Sequence, residues 1–190
     1  DVCSSDLTEI RPIGVLADDA GRPINLADFR LRASPEARRP VLTIAVLGSS
    51  MNAGKTTTAA GIIHGLTRAG LKVGAAKLTG TGSGGDLWSM VDAGAVRAID
   101  FTDAGHASTF GLDRDDAIDC ARRLLGGFGA DEADVLVVEI ADGLLQRETA
   151  MLLEAAATEA WFDKIVFAAG DAMSASFGID LLRRHNLPVQ

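Results

Sequence analysis

The chain has 190 residues, of which 47% are hydrophobic and 23% charged, and its formal net charge is −8 at pH 7. This length suits one domain of about 150 residues and a shorter N-terminal piece. The negative charge argues against a nucleic-acid-binding surface, and no apolar run reaches the roughly 18–20 residues that a membrane span needs. Two cysteines, Cys3 and Cys120, show neither metal-site spacing nor a disulfide framework. We therefore expect a cytoplasmic protein without a nucleic-acid or membrane partner.

The first 40 residues differ in character from the rest of the chain. Residues 1–7 (DVCSSDL) match one reading frame of a sequencing-adaptor oligonucleotide, and we interpret them as an artefact. Residues 8–40 contain two weak strand patterns, at 13–17 and 24–26, and end in a polar stretch with two prolines. We interpret 8–40 as the short β remnant of a preceding domain and a linker.

Buried strand patterns alternate with helical patterns from residue 41 onward, which predicts βαβ units. The fold class we expect is α/β, with three layers (α/β/α) and a mostly parallel sheet. Because 187–190 resembles the opening of another strand, we expect the domain at 41–190 to be incomplete. The predicted strands are 41–47, 72–76, 96–101, 135–140 and 165–169; the predicted helices begin after 55 (stopping at Gly70) and cover 86–93, 114–125 (capped by Asp113), 147–161 and 172–185.

A glycine loop joins the first predicted strand to the first predicted helix. The strand ends at Gly48, and Gly54-Lys55-Thr56 opens the helix. The loop N–H groups and the helix dipole favour a phosphate there, Lys55 can reach terminal phosphates, and the Thr56 hydroxyl can bind Mg²⁺. The loop is one residue longer than the common form, and a plain turn with a solvated lysine is the alternative. The predicted nucleotide-binding residues are Gly48, Ser49, Ser50, Asn52, Ala53, Gly54, Lys55, Thr56 and Thr57.

Two later strands also end in residues that suit a phosphate site. Lys77 precedes a glycine-rich loop that leads to Asp86, and Glu139 ends the apolar run 135–139 of a later predicted strand. Because ligands bind beyond the carboxyl ends of parallel strands, we predict that Thr56, Asp86 and Glu139 hold Mg²⁺. Asp142 is a rival for Glu139, and a helix N-cap is the alternative role of Asp86. The glycine-rich loop is expected to wrap an anion with its N–H groups.

Two further side chains are weaker candidates. His106 lies in a polar segment and could carry a proton for a substrate, although an exposed loop histidine is the alternative. Arg147 could bind a carboxylate or a phosphate, and a surface ion pair is its alternative.

Four strings of sequence carry a resemblance to known proteins: GSSMNAGKTTTA, K-x-T-G-T-G-x-G-G-D, DFTDAG and VEIADG. They resemble a P-loop family known mainly as a domain of unknown function, which is similar to dethiobiotin synthetase-like P-loop NTPases over 41–190. Some relatives of that family are described as D-glutamate N-acetyltransferases. The resemblance implies that Lys77 stabilises charge on a transferring phosphoryl group beside Lys55. Glu139 resembles the glutamate of a V-E-G motif, although Asp142 stands in a following stretch that departs from it.

The resemblance implies ATP, or GTP, and Mg²⁺ as cofactors. The expected activity is phosphorylation or activation of a small carboxylate or amine substrate, with Lys55 and Lys77 as catalytic residues and a homodimer as one assembly. A GTPase-type helper for cofactor insertion, an acyltransferase that binds coenzyme A phosphates in the loop, and a nucleotide sensor without catalysis are the alternatives. Acetyl-CoA turnover, phosphate release or binding alone would separate them.

Overall fold

The computed structural model describes residues 11–32 and 42–189, and five strands alternate with five α-helices over 42–189. The strands are β1 (Leu42–Gly48), β2 (Val73–Lys77), β3 (Arg97–Asp100), β4 (Val135–Glu139) and β5 (Lys164–Ala168). The helices are α1 (Lys55–Arg68), α2 (Gly84–Asp92), α3 (Arg114–Leu125), α4 (Arg147–Glu159) and α5 (Ala172–Arg184). No helix in these two ranges is both long and apolar enough to cross a bilayer.

The five strands form one parallel sheet in the order β3-β2-β4-β1-β5, with helices on both faces. Helices α1 and α2 pack on one face through Ile63 and Met90. Helices α3, α4 and α5 pack on the other face through Leu124, Leu152 and Leu182. All five residues of β4 are buried, as a central strand covered on both faces requires. The predicted three-layer α/β/α fold is confirmed.

The strand register brings three carboxyl-end residues into one row across the sheet. Glu139 of β4 is paired with Val46 of β1 on one side and with Lys77 of β2 on the other. Asp100 of β3 pairs with Lys77 in turn. Lys77 and Glu139 are therefore neighbours, directly beside the end of the strand that enters the glycine loop.

The N-terminal segment forms only part of the predicted β remnant. Ala17 and Pro23 make an antiparallel bridge around a tight turn, as a hairpin would. The strand predicted at 24–26 is wrong, because a 3₁₀-helix (Leu26–Phe29) begins there and the Asn25 N–H donates to Asp28 Oδ2 at 2.9 Å. Such a local side-chain bond competes with strand pairing. The expected artefact at 1–7 and the proline-containing stretch lie outside the described residues.

At the other end of the described chain, Val189 makes a parallel bridge with Ile165 of β5. The Ile165 N–H also donates to Pro188 O at 2.9 Å. This pairing agrees with the strand opening predicted at 187–190.

Candidate functional site

The loop between β1 and α1 turns sharply just before the helix. Gly54 has φ = 96°, in the left-handed region that glycine enters without steric cost. Asn52 also lies in this region, with φ = 61°, which asparagine tolerates better than most residues. Lys55 then follows as the first residue of α1. The loop therefore delivers the lysine and the free N–H groups of the first helical turn to the carboxyl end of the sheet.

Lys55 lies over a glycine that leaves room for it. A Cβ atom added to Gly48 would be 2.7 Å from Lys55 Cγ and 2.9 Å from Lys55 Cδ. The lysine is only 6% exposed, and its Nζ donates to Ser50 O at 2.8 Å. The missing side chain at Gly48 is what lets the lysine stem cross the end of β1.

Burial lowers the pKa of Lys55 from its ordinary value of 10.5, against the charges of Asp142 and Glu139, which raise it. The charge of Lys77 lowers it further. The ammonium group is therefore poorly solvated where it stands, and a bound anion would stabilise its charged form.

Four polar side chains from four elements meet beside this lysine. The Thr56 Oγ1 atom is 3.2 Å from both Asp86 Oδ1 and Glu139 Oε1, so its single proton can be donated to either carboxylate. Lys77 forms an ion pair with Asp86, and its Nζ lies 3.8 Å from Glu139 Oε1. The structure thus brings together Thr56, Asp86, Glu139 and both lysines, as the sequence predicted.

One carboxylate oxygen of Glu139 has no hydrogen-bond partner among the described residues. The residue is 1% exposed, and its Oε2 atom accepts no hydrogen bond from any described residue. An unpaired buried carboxylate oxygen is costly, and a divalent cation would satisfy it. The hydroxyl of Thr56 and the carboxylates of Asp86 and Glu139 are the hard oxygen donors that Mg²⁺ prefers. Among the described residues, no group of three or more His, Cys, Asp or Glu side chains is placed to hold a metal ion.

These side chains border an open cleft of about 330 Å³ at the carboxyl end of the sheet. Its walls combine two lysines with three carboxylates, the N-terminal turn of α1 and part of the glycine loop. The lining residues are Met51, Asn52, Gly54, Lys55, Thr56, Thr57, Lys77, Asp86, Glu139, Ala141 and Asp142.

The predicted loop residues divide into two groups. Those that line the cleft are Asn52, Gly54, Lys55, Thr56 and Thr57. The others are engaged within the protein: Gly48 lies under Lys55, the Ser49 N–H donates to Ala168 O at 2.9 Å, Ser50 O accepts from Lys55, and the Ala53 N–H donates to Ser50 O at 3.4 Å. This second group shapes the loop.

In the second glycine-rich loop, two of the N–H groups expected to wrap an anion are engaged within the protein: Gly80 donates to Thr109 Oγ1 and Gly82 donates to Ala107 O, both at 2.9 Å. The N-cap alternative for Asp86 is wrong, since Ser83 occupies the N-cap position and α2 begins two residues earlier than predicted. Asp86 instead turns its carboxylate toward Lys77 and Thr56.

The two weaker candidates do not reach the cleft. His106 is half-buried in the turn after β3, where its backbone N–H donates to Phe101 O at 2.9 Å. It is not among the residues that line the cleft. Arg147 is exposed at the start of α4 and also lies outside the lining. Asp142, considered only as a rival for Glu139, does line the cleft.

Sequence reasoning missed three residues that hold the cleft's far wall. Thr79 Oγ1 accepts a hydrogen bond from the Ala141 N–H at 2.7 Å and also contacts Ala141 O. Thr149 Oγ1 donates to Ala141 O at 2.8 Å. A Cβ atom added to Gly143 would be 2.6 Å from Ser49 O, so this glycine lets the wall touch the loop. The sequence does show Thr79 just after β2 and Gly143 just after β4. Only the strand order, which places β2 beside β4, shows that these two segments lie together.

Comparison with solved structures gives matches at low sequence identity. The kinase domain of Escherichia coli tyrosine kinase ETK matches with a TM-score of 0.54 and 13% identity, over 78% of this chain and 65% of that one. Signal Recognition Particle 54 kDa protein from Aeropyrum pernix K1, in complex with GDP, matches with a TM-score of 0.47 and 23% identity, over 74% of this chain and 31% of that one. Signal recognition particle receptor FtsY from Elizabethkingia anophelis matches with a TM-score of 0.46 and 19% identity, over 80% of this chain and 48% of that one. No family model and no curated protein matches the chain.

The likeness to the ETK domain, at this identity, concerns the fold alone. Together with the strand, glycine loop and helix described above, it defines the class: the chain has the α/β fold of P-loop NTPases. The chain spans 65% of that domain and less of the other two proteins. These proteins are not dethiobiotin synthetases, and the finer resemblance stays a prediction.

Proposed function

We propose that this domain binds a nucleoside triphosphate, ATP or GTP, with Mg²⁺ in the cleft, and uses it to phosphorylate or activate a small carboxylate or amine. The observation that carries the proposal is the convergence, at the end of one glycine loop, of buried Lys55, the Thr56 hydroxyl and the Glu139 oxygen that no described residue contacts by a hydrogen bond. A plain structural turn would need neither a desolvated ammonium group nor an unsatisfied buried carboxylate.

Each cleft residue has a role in this proposal. Lys55 and the first turn of α1 hold the phosphates, because the N–H groups and the helix dipole favour negative charge. Thr56, Asp86 and Glu139 hold Mg²⁺, which when bound neutralises charge on phosphate oxygens. Lys77 gives up its ion pair with Asp86 and stabilises charge on the transferring group. The proposed partner is a small molecule, and a homodimer stays a prediction.

The test is a thermal-shift panel with ATP, GTP and acetyl-CoA, each with and without Mg²⁺. A ligand at a hundred times its dissociation constant adds about 2.7 kcal/mol to the free energy of unfolding. For a domain of this size the unfolding midpoint then rises by roughly 5–11 °C. We expect this rise with a nucleoside triphosphate and Mg²⁺, and its loss in Lys55→Ala. The matched control is Lys164→Ala, which removes an exposed lysine at the start of β5.

Two results would contradict the proposal. A Lys55→Ala variant that keeps the full shift would show that the nucleotide binds elsewhere. A shift with acetyl-CoA alone, independent of Mg²⁺, would favour the acyltransferase alternative.

A further inference from the structure

Asp142 is the one carboxylate of the cleft that no described side chain engages by a hydrogen bond. Asp86 is paired with Lys77, and Glu139 contacts Thr56. The only hydrogen bond of Asp142 to a described residue is made by its backbone N–H, which donates to Gln146 Oε1 at 2.9 Å. Asp142 is half-buried and is one of the residues that line the cleft.

The backbone on both sides of Asp142 is fixed by contacts that do not involve its side chain. Before it, the carbonyl of Ala141 is held by Thr79 and Thr149. After it, Gly143 lies so close to Ser49 O that no larger residue fits. A loop needs no such support to leave a carboxylate in solvent, whereas a catalytic group must be held in place by its neighbours.

Phosphate binding would change the electrostatics around Asp142. The nearby positive charge of Lys55 offsets the charge of Asp142. A phosphate held by Lys55 takes over that ammonium group and adds negative charge beside the carboxylate. Mg²⁺ and Lys77 offset part of this charge, and a proton-bearing group between Asp142 and the phosphate would relieve the remaining repulsion. A carboxylate substrate would add a further like charge at this point.

We propose that Asp142 is a catalytic residue that orients and deprotonates the group attacking the terminal phosphorus, so that the substrate is an amine or hydroxyl compound and not a carboxylate. This inference rests on the proposed function. A lone pair of the substrate nitrogen or oxygen forms the new bond to phosphorus. The bond from phosphorus to the bridging oxygen breaks, and its electron pair stays with the nucleoside diphosphate. The proton of the attacking atom passes to the carboxylate of Asp142.

Two mimics of the reaction test this role without knowledge of the substrate, because water can stand in the attacking position. Nucleoside diphosphate, Mg²⁺ and beryllium fluoride mimic the bound triphosphate. The same diphosphate with aluminium fluoride mimics the transition state with an attacking water. Affinities are measured by calorimetry for the full 190-residue chain and for Asp142→Asn, which has the same shape without the proton-accepting charge.

We expect Asp142→Asn to bind the beryllium fluoride complex as the unchanged protein does, and to bind the aluminium fluoride complex about 100-fold more weakly, within the range of general-base effects. Asp180→Asn, an exposed aspartate of α5, is the charge-matched control and should bind both normally. Equal loss of both complexes in a folded Asp142→Asn would make Asp142 a nucleotide or metal ligand and overturn the inference. Full retention of both, or no aluminium fluoride complex in the unchanged protein, would also overturn it. Failure of the unchanged protein to bind any nucleotide complex rejects the proposed function instead.

Discussion

At the scale of single residues, the cleft depends on two glycines, and a side chain is excluded at each of them by a different neighbour. Gly48 leaves space for the aliphatic stem of Lys55, whereas Gly143 allows backbone to meet backbone at Ser49. A flexible lysine stem can shift to relieve a clash, but a backbone oxygen at 2.6 Å cannot do so without moving the loop. Substitution at Gly48 should therefore displace Lys55 more than it disturbs the fold.

The Gly48→Ala variant tests this order of effects. The new methyl group would lie 2.7 Å from Lys55 Cγ and 3.3 Å from Ala168 O, so the lysine stem must leave its place. We expect the free energy of unfolding to fall by about 1–3 kcal/mol and nucleotide affinity to fall with it. Gly61→Ala in α1 is the control, because no atom lies within 4 Å of its added Cβ. Unchanged nucleotide binding in Gly48→Ala would show that the position of Lys55 is not needed.

The lowered pKa of Lys55 predicts a pH dependence of nucleotide binding. Burial favours the neutral amine, and a bound phosphate favours the ammonium form, so binding should take up a proton once the pH exceeds the lowered pKa. We expect affinity to be constant at lower pH and to fall by about tenfold per pH unit above that pKa, starting below 10.5. Titrations of nucleotide affinity between pH 7 and 11 measure this profile. Lys55→Arg, whose guanidinium stays charged, should flatten the profile. An affinity that stays flat up to pH 10.5 in the unchanged protein would refute the expectation.

At the scale of elements, the exits of β2 and β4 are joined by side chains on the cleft's far wall. Thr79 follows β2 and bonds both the N–H and the carbonyl of Ala141, which follows β4. Thr149, in the first turn of α4, adds a second bond to the same carbonyl. Both threonines are buried, so neither bond can be replaced easily by water. The path of the chain into Asp142 is therefore fixed by two different elements.

The two threonines should differ in importance. In Thr79→Val the buried Ala141 N–H loses its acceptor, and an unsatisfied buried donor costs about 1–3 kcal/mol. In Thr149→Val the carbonyl of Ala141 keeps its bond from Thr79, so we expect a smaller loss, about 1 kcal/mol. Urea unfolding of both variants compares the two losses directly. Equal losses, or a larger loss in Thr149→Val, would contradict this division of roles.

Local signals in the sequence were enough for some elements and not for others. Helix α3 has the predicted bounds, because Asp113 accepts from the Asp116 N–H and caps it as expected. Helix α2 begins at Gly84 in spite of the poor helix propensity of two glycines, so Asp86 falls in the first turn. From this position Asp86 forms its ion pair with Lys77. The contacts of Thr79 and Gly143 could not be predicted, since they require the order in which strands far apart in sequence pair.

At the scale of the whole molecule, the two hydrophobic layers have different tasks. The layer on the α1 and α2 side holds the elements that present Lys55 and Asp86 to the cleft. The layer on the α3, α4 and α5 side is larger and supports the wall that carries Asp142. Cys120 of α3 is buried in this second layer, and burial raises the pKa of its thiol from 9.0 to about 12. The pKa of the Cys120 thiol therefore indicates whether that layer excludes water.

Cys120 should make the protein less stable at alkaline pH. In the unfolded chain the thiol ionises above pH 9.0, whereas in the folded protein it keeps its proton until about pH 12. Between these values the folded state binds more protons, so the stability that the thiol contributes below pH 9.0 is lost as the pH rises. The free energy of unfolding should fall by up to about 1.4 kcal/mol per pH unit from this group. Lys55, with its lowered pKa, acts in the opposite direction and is present in both proteins that are compared. Cys120→Ala should therefore show a shallower decline in chemical unfolding between pH 9.0 and 11, and an equal slope in both proteins would mean that the layer around α3 admits water.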